Sequence, residues 1–147
     1  MKIAIGTDHN GTEIKKEIKT YLKNKDYEII DVSEHNSAFD DYPEYAFKVG
    51  ELVANKEATF GILICGTGIG MSIAANKVKG IRCAHVTNTS EAILSRQHNN
   101  ANIIALGANG NKVNDLIKII DLFINTGFKN EERHVRRNSQ ILEYENK

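Results

Sequence analysis

The stretch Phe60-Gly61-Ile62-Leu63-Ile64-Cys65-Gly66-Thr67-Gly68-Ile69-Gly70-Met71-Ser72-Ile73-Ala74-Ala75-Asn76-Lys77 constrains this chain more than any other. Its uninterrupted apolar run, Ile62 to Ile64, suits a strand buried on both faces, the situation of strands in parallel sheets. The run ends in a thiol, Cys65. Gly66, Gly68 and Gly70 follow at once, and then a helix-forming segment begins. Cys65 is thereby placed at the carboxyl end of a central strand, facing a turn whose N–H groups can converge on an anion. Such a turn would hold an oxyanion or a phosphate beside a thiolate. It is not a dinucleotide fingerprint, because Met71 stands where the last glycine belongs, and no lysine follows as in a phosphate loop. Read alone, the same residues also serve as a tight strand-to-helix connection, with Cys65 a small buried hydrophobe. The rest of the chain decides between these readings.

Strand and helix signals alternate along the whole sequence. Ile3 to Gly6 reads as a strand, followed by the polar turn Thr7-Asp8-His9-Asn10-Gly11. Glu13 to Lys25 is a helix with Ile14, Ile18, Tyr21 and Leu22 on one stripe. Tyr27 to Val32 is a second strand. After the polar stretch 33–41, Pro43 marks a helix start, and Phe47, Leu52 and Val53 are its expected inward residues. The helix after the glycine turn is expected to run through Val78. Gly80 to Val86 is a fourth strand, Thr89 to His98 a helix closed by Asn99-Asn100, and Asn102 to Gly107 a fifth strand. Val113 to Asn125 is an apolar helix. The tail 129–147 is highly charged, with Ile141 and Leu142 as its only evident apolar anchor. Short connections between alternating elements mean βαβ units, hence an α/β, three-layer Rossmann-like fold: a five-stranded parallel sheet flanked by helices, plus a C-terminal helical tail. Without a linker, repeat or low-complexity tract, residues 1–147 are expected to form one domain.

Composition excludes more than it suggests. Nineteen basic and nineteen acidic side chains cancel, so nothing global favours nucleic acid or an anionic membrane, and any anion site must be local. No apolar run has the length of a membrane span. Met1-Lys2 leads straight into a strand, so no signal peptide is expected. Two cysteines without CxxC spacing fit a reducing, cytoplasmic setting and imply neither a disulfide nor a zinc site.

Ligands of open parallel sheets lie beyond the carboxyl ends of the strands. Asp8-His9, Cys65 to Gly70 and Asn109 follow strands one, three and five and so fall there. Asp8 reads equally as a helix cap. His98, in Ser95-Arg96-Gln97-His98-Asn99, suits general acid–base work near neutral pH, or simply a helix terminus. Arg133 and Arg137 stand four apart, on one face if helical, a spacing for gripping a phosphate, or for a solvated basic turn beside Glu131 and Glu132. Cys83 and His85 read as core residues of the fourth strand.

These blocks resemble, over nearly the whole chain, the type B ribose-5-phosphate isomerases and the related galactose-6-phosphate isomerase subunits. The resemblance rests on Asp8-His9, on residues 65 to 77, on Ser-Arg-Gln-His-Asn at 95 to 99 and on Arg-His-x-x-Arg at 133 to 137. It implies an aldose–ketose isomerase that interconverts ribose 5-phosphate and ribulose 5-phosphate. Cys65 would move the proton between C2 and C1 through a cis-enediolate, held by amides of Gly66, Gly68, Ile69 and Gly70, while Thr67 orients the substrate. His98 would open the furanose ring, Asp8 and Asn99 would contact sugar oxygens, and His9, Arg133 and Arg137 would hold the phosphate. No metal or organic cofactor is implied, and the partners implied are a phosphorylated sugar and a second copy of the chain, in a homodimer or tetramer with shared sites. One departure concerns Gly107-Ala108-Asn109, where many relatives carry an arginine in place of Asn109. Lys112 and Arg136 could compensate. A hexose 6-phosphate, allose or galactose, is the alternative substrate, and a flavodoxin-like binding module the alternative from another class.

Overall fold

The computed structural model describes all residues, 1–147. Five parallel strands, β1 (Lys2–Thr7), β2 (Glu28–Asp31), β3 (Phe60–Cys65), β4 (Cys83–His85) and β5 (Ile103–Gly107), form one sheet in the order β2-β1-β3-β5-β4. Helices α1 (Thr12–Asn24), α2 (Tyr42–Ala54), α3 (Ile69–Ala75), α4 (Thr89–Asn99) and α5 (Val113–Asn125) connect and cover them, and α6 (Glu132–Glu145) ends the chain. The α/β class, the five parallel strands and the helical tail agree with the sequence reading.

The pleat divides the apolar run between two cores. Ile62 and Ile64 join Ile3, Ile5, Ile104 and Leu106 under α1 and α5, where Phe60 and Phe123 meet edge-on at 5.4 Å. Leu63 and Cys65 point the other way, among Ala4, Ala105, Val49, Met71 and Ala75 under α2 and α3. Burying an isoleucine or leucine fully is worth about 1.5–3 kcal/mol, so this alternation fixes the strand register and with it the face that Cys65 takes. The chain winds one way from β1 to β2 and the other way from β1 to β3. Their carboxyl ends, paired at Thr7 and Ile64, form the switch point where a crevice opens.

Several elements differ from expectation. Phe47 is 40% exposed, because Tyr45, Ala46, Val49, Gly50 and Val53 make the buried stripe of α2. Helix α3 stops at Ala75, where the Asn76 amide bonds both the carbonyl and the N–H of Cys83. Strand β4 keeps only three residues because it is an edge with one partner. The tail is not anchored by Ile141 and Leu142, which are about half exposed. Its anchor is His134, 4% exposed and stacked on His98 at 4.2 Å, helped by Asn138, which donates to the His98 carbonyl at 2.9 Å. A polar, paired contact does here what an apolar stripe was expected to do. No helix is long and apolar enough to cross a membrane.

Candidate active site

The carboxyl rim of the sheet collects the first group of candidate residues. Cys65 ends β3, and its Sγ accepts the N–H of Gly68 at 3.1 Å. Gly68 reaches that position with φ +81, and a Cβ there would stand 2.8 Å from the Leu106 carbonyl carbon, so only glycine fits. The Thr67 hydroxyl accepts from Ile69 N–H at 3.2 Å and fixes the turn. The N–H groups of Gly66, Thr67 and Gly70 donate to no protein acceptor and line the loop as free donors. Asn109 N–H bonds the Gly66 carbonyl at 3.0 Å, and its amide lies against Gly66. Asp8 is buried and caps the single 3-10 turn His9–Gly11, accepting Asn10 N–H at 2.9 Å. The cap reading and the site reading of Asp8 thus hold together: the turn it fixes stands beside the Cys65 loop, with Asp8 N–H bonded to the Ile64 carbonyl at 3.3 Å. His9 is held by Asp40 at 2.8 Å.

Two residues of this rim escape a reading of motifs. The Tyr42 ring lies over Gly70, so close that a Cβ there would stand 2.5 Å from Cζ. Its signal is the helix start at Pro43, which sets the first turn of α2 over the glycine loop. His85 is not a core residue: it is exposed, and its Nε2 lies 2.9 Å from the Thr67 carbonyl, because β4 ends there and its last side chain passes beyond the sheet. Cys83, by contrast, is buried as expected, and burial pushes its thiol up to about 12.

The second group sits elsewhere. Helix α4 leaves the carboxyl end of β4 and runs back, so its last residues, His98 and Asn99, reach the amino rim, where Arg82 binds the Asn99 and Asn100 carbonyls at 3.1 and 3.0 Å. Arg133 and Arg137, both exposed, lie on α6 beside the His98–His134 stack. Arg133 pairs with Glu131 at 3.0 Å, whereas Arg137 has no acidic partner. Burial, and then the nearby charges of His98 and Arg133, hold His134 below the usual histidine range. The five steps from Phe60 to Cys65, at about 3.3 Å each, put about 17 Å between this rim and Cys65. One chain therefore does not bring His98, Asn99, Arg133 and Arg137 to the thiol.

Cys65 lines none of the five main cavities of the chain. The largest, about 780 Å³, lies between α1 and residues 31–36, and the next, about 580 Å³, between α6 and β4.

A buried thiol at a switch point, three free amides and a glycine turn match a known pattern along the chain. The model of the ribose/galactose isomerase family matches residues 3–141. The chain belongs to that family. Among family structures, ribose-5-phosphate isomerase B of Clostridium thermocellum is 46% identical, with TM-score 0.95 over 99% of this chain and 98% of that one. The Mycoplasma genitalium enzyme, solved with bound ribulose 5-phosphate, is 42% identical, with TM-score 0.94 over 99% and 97% of the two chains. Ribose-5-phosphate isomerase B of Mycobacterium tuberculosis is 37% identical over 99% of this chain and 90% of its own length. The family relation covers both rims of the sheet, the α6 tail included.

Proposed function

We propose that this member of the family interconverts ribose 5-phosphate and ribulose 5-phosphate, in the cytoplasm and in a site completed by a second copy of the chain. The observation that carries this reading is the Cys65 sulfur at the end of β3, within hydrogen-bond reach of a glycine turn that offers unused N–H donors. Isomerisation between C1 and C2 needs one base that removes a proton from one carbon and returns it to the other. It also needs donors for the oxygen that becomes anionic meanwhile. In the proposed chemistry the Cys65 thiolate takes the C2 proton of the open-chain aldose. The electron pair forms the C1–C2 double bond and charge collects on the C1 oxygen, facing the amides of Gly66, Thr67 and Gly70. The proton then returns from Cys65 to C1, and the C2 hydroxyl passes its proton to the C1 oxygen, so that C1 ends as CH2OH and C2 as the ketone. Thr67 orients the substrate, and Asp8 and Asn109 bind its hydroxyl groups.

Ring opening falls to His98, with Asn99 on a sugar oxygen, and the phosphate to His9, Arg133 and Arg137. Since His98, Asn99 and the arginines sit on the amino rim, a second subunit must supply them. The outward side chains Val135, Ile141, Leu142 and Tyr144 of α6, and Ile69, Ile73 and Leu94 of α3 and α4, are an apolar surface available for that pairing. Each chain would then lend its amino-rim half to its partner's thiol.

Cys65→Ala is expected to lower kcat for ribose 5-phosphate by about a thousandfold or more, with circular dichroism and melting temperature unchanged. Full activity in that variant would reject the mechanism. Asn109 bears on the sugar: kcat/KM compared between ribose 5-phosphate and allose 6-phosphate decides whether the uncharged side chain has shifted preference to a hexose.

A further inference from the structure

Asp40 lies in the irregular stretch between β2 and α2, yet its side chain is only 6% exposed. Four donors converge on it. His9 N–H at 3.0 Å and His9 Nδ1 at 2.8 Å meet Oδ1, and Asn36 Nδ2 at 2.7 Å and the Tyr45 hydroxyl at 3.1 Å meet Oδ2. Asn36 also donates to the Thr7 carbonyl at 2.8 Å, which ties the carboxylate to the end of β1. A surface loop has no structural need to bury an acid among four donors. The arrangement is that of a carboxylate that orients a histidine, fixing which ring nitrogen carries the outward proton.

We propose that Asp40 is a positioning residue for His9: Oδ1 takes the main-chain N–H and the Nδ1 proton, and the ring turns Nε2 outward as a charged donor to the substrate's phosphate. The inference rests on the sugar-phosphate reading above and adds the source of the cation on the carboxyl rim, where Asn109 brings none. In this structure Nε2 faces only the Asn10 amide, at 3.4 Å, a long contact that a phosphate oxygen would replace. The groups facing the imidazole agree in sign. The hydrogen bond to Asp40 raises His9 above the usual histidine range; burial, the next largest effect, opposes the rise, and the charges of Asp8 and Asp40 add to it. Burial would raise Asp40, but the bonds from Asn36 and His9 outweigh it and keep the carboxyl below its usual range. Tyr45, pushed up to about 12 by burial and by Asp40, keeps its proton throughout.

The test is steady-state kinetics with ribose 5-phosphate between about pH 5.5 and 8.5, on wild type, Asp40→Asn, His9→Gln and the double variant. Asp40→Asn is expected to raise KM about five- to tenfold at neutral pH with kcat within about twofold, the size of one charge-assisted hydrogen bond. Its rise of KM with pH should begin at lower pH than in wild type, because the imidazolium loses its proton earlier. In the His9→Gln background, the same Asp40 substitution should leave KM and its pH dependence unchanged. An equal KM effect with and without His9, or an unmoved pH profile, would overturn the proposal and leave Asp40 a loop holder. Should Asp40→Asn fail to fold, NMR titration of the wild-type His9 ring decides. A midpoint above the usual value with Nδ1 protonated supports the proposal, and a midpoint at or below it overturns it. Cys65→Ala separates the two levels: if it is active the isomerase reading fails, and if it is dead while Asp40→Asn leaves KM unmoved, only this inference fails.

Discussion

The two rims of the sheet are built by different means. On the carboxyl rim every candidate residue follows directly on a buried strand, so Asp8, Cys65 and Asn109 inherit their places from the register of β1, β3 and β5. On the amino rim, His98 and Asn99 end a helix and Arg133 and Arg137 ride on another, and side-chain docking sets their places. Strand pairing fixes positions from within one chain. Helix docking leaves groups at the surface, free to face a neighbour. The carboxyl rim thus holds a thiol and amides without enough positive charge for a phosphate. The amino rim holds arginines and a histidine without a base for C–H chemistry.

This contrast can be broken or sharpened by substitution. The largest effect belongs to the loss of Cys65, the thousandfold fall already described. Next comes the pair His98→Asn with Arg137→Ala, expected to lower kcat/KM by about a hundredfold or more although both residues lie a sheet's length from the thiol, since an acid and a phosphate-binding charge are lost together. An unchanged kcat/KM would place the site on the carboxyl rim alone. Gly68→Ala is expected to cost about 1–2 kcal/mol of stability from its left-handed backbone, with a further cost from the Cβ against the Leu106 main chain, and to cut kcat about tenfold by moving the donor off Sγ. Denaturant melts and kinetics read the two parts separately. The smallest effect concerns His134→Phe, which keeps a ring against His98 without a titrating group. His134 is held below the usual histidine range, so the unfolded chain binds its proton more readily. Its contribution to stability is present above about pH 6.5 and declines as pH falls below that value. Wild type should therefore lose more melting temperature between neutral and mildly acid pH than His134→Phe. Equal slopes would show that the stack carries no such cost.

What could be read from residues alone follows the same division. The alternation of Ile62, Leu63, Ile64 and Cys65 identified a buried strand, and the glycine spacing identified the turn, because both depend on local backbone and pleat. Asp8 and Asn109 followed from the rule that ligands gather beyond strand ends. His85 was missed because only the length of β4, set by its edge position, decides whether that side chain is inside the sheet or past it. Asp40 was missed because loop residues 33–41 carry no period and its partner His9 is distant in sequence, and Tyr42, at the start of α2, because its contact with Gly70 is equally distant. The tail was misjudged in its anchor because a histidine stack has no hydrophobic signature. The opposite placement of Cys65 and His98 could not be read from a list of motifs, which carries no direction along the sheet.

The proposed division of the site between two subunits is tested most directly by mixing two variants that are each expected to be inactive. Cys65→Ala and the His98→Asn/Arg137→Ala double variant are unfolded together, refolded together and assayed. In a mixed dimer one site receives both lesions and the other receives none. If chains pair at random, half of the dimers are mixed and half of their sites are whole, so activity should return to about a quarter of wild type. No recovery, with mixed dimers demonstrated by mass, would show that each site draws both rims from a single chain and would contradict the account.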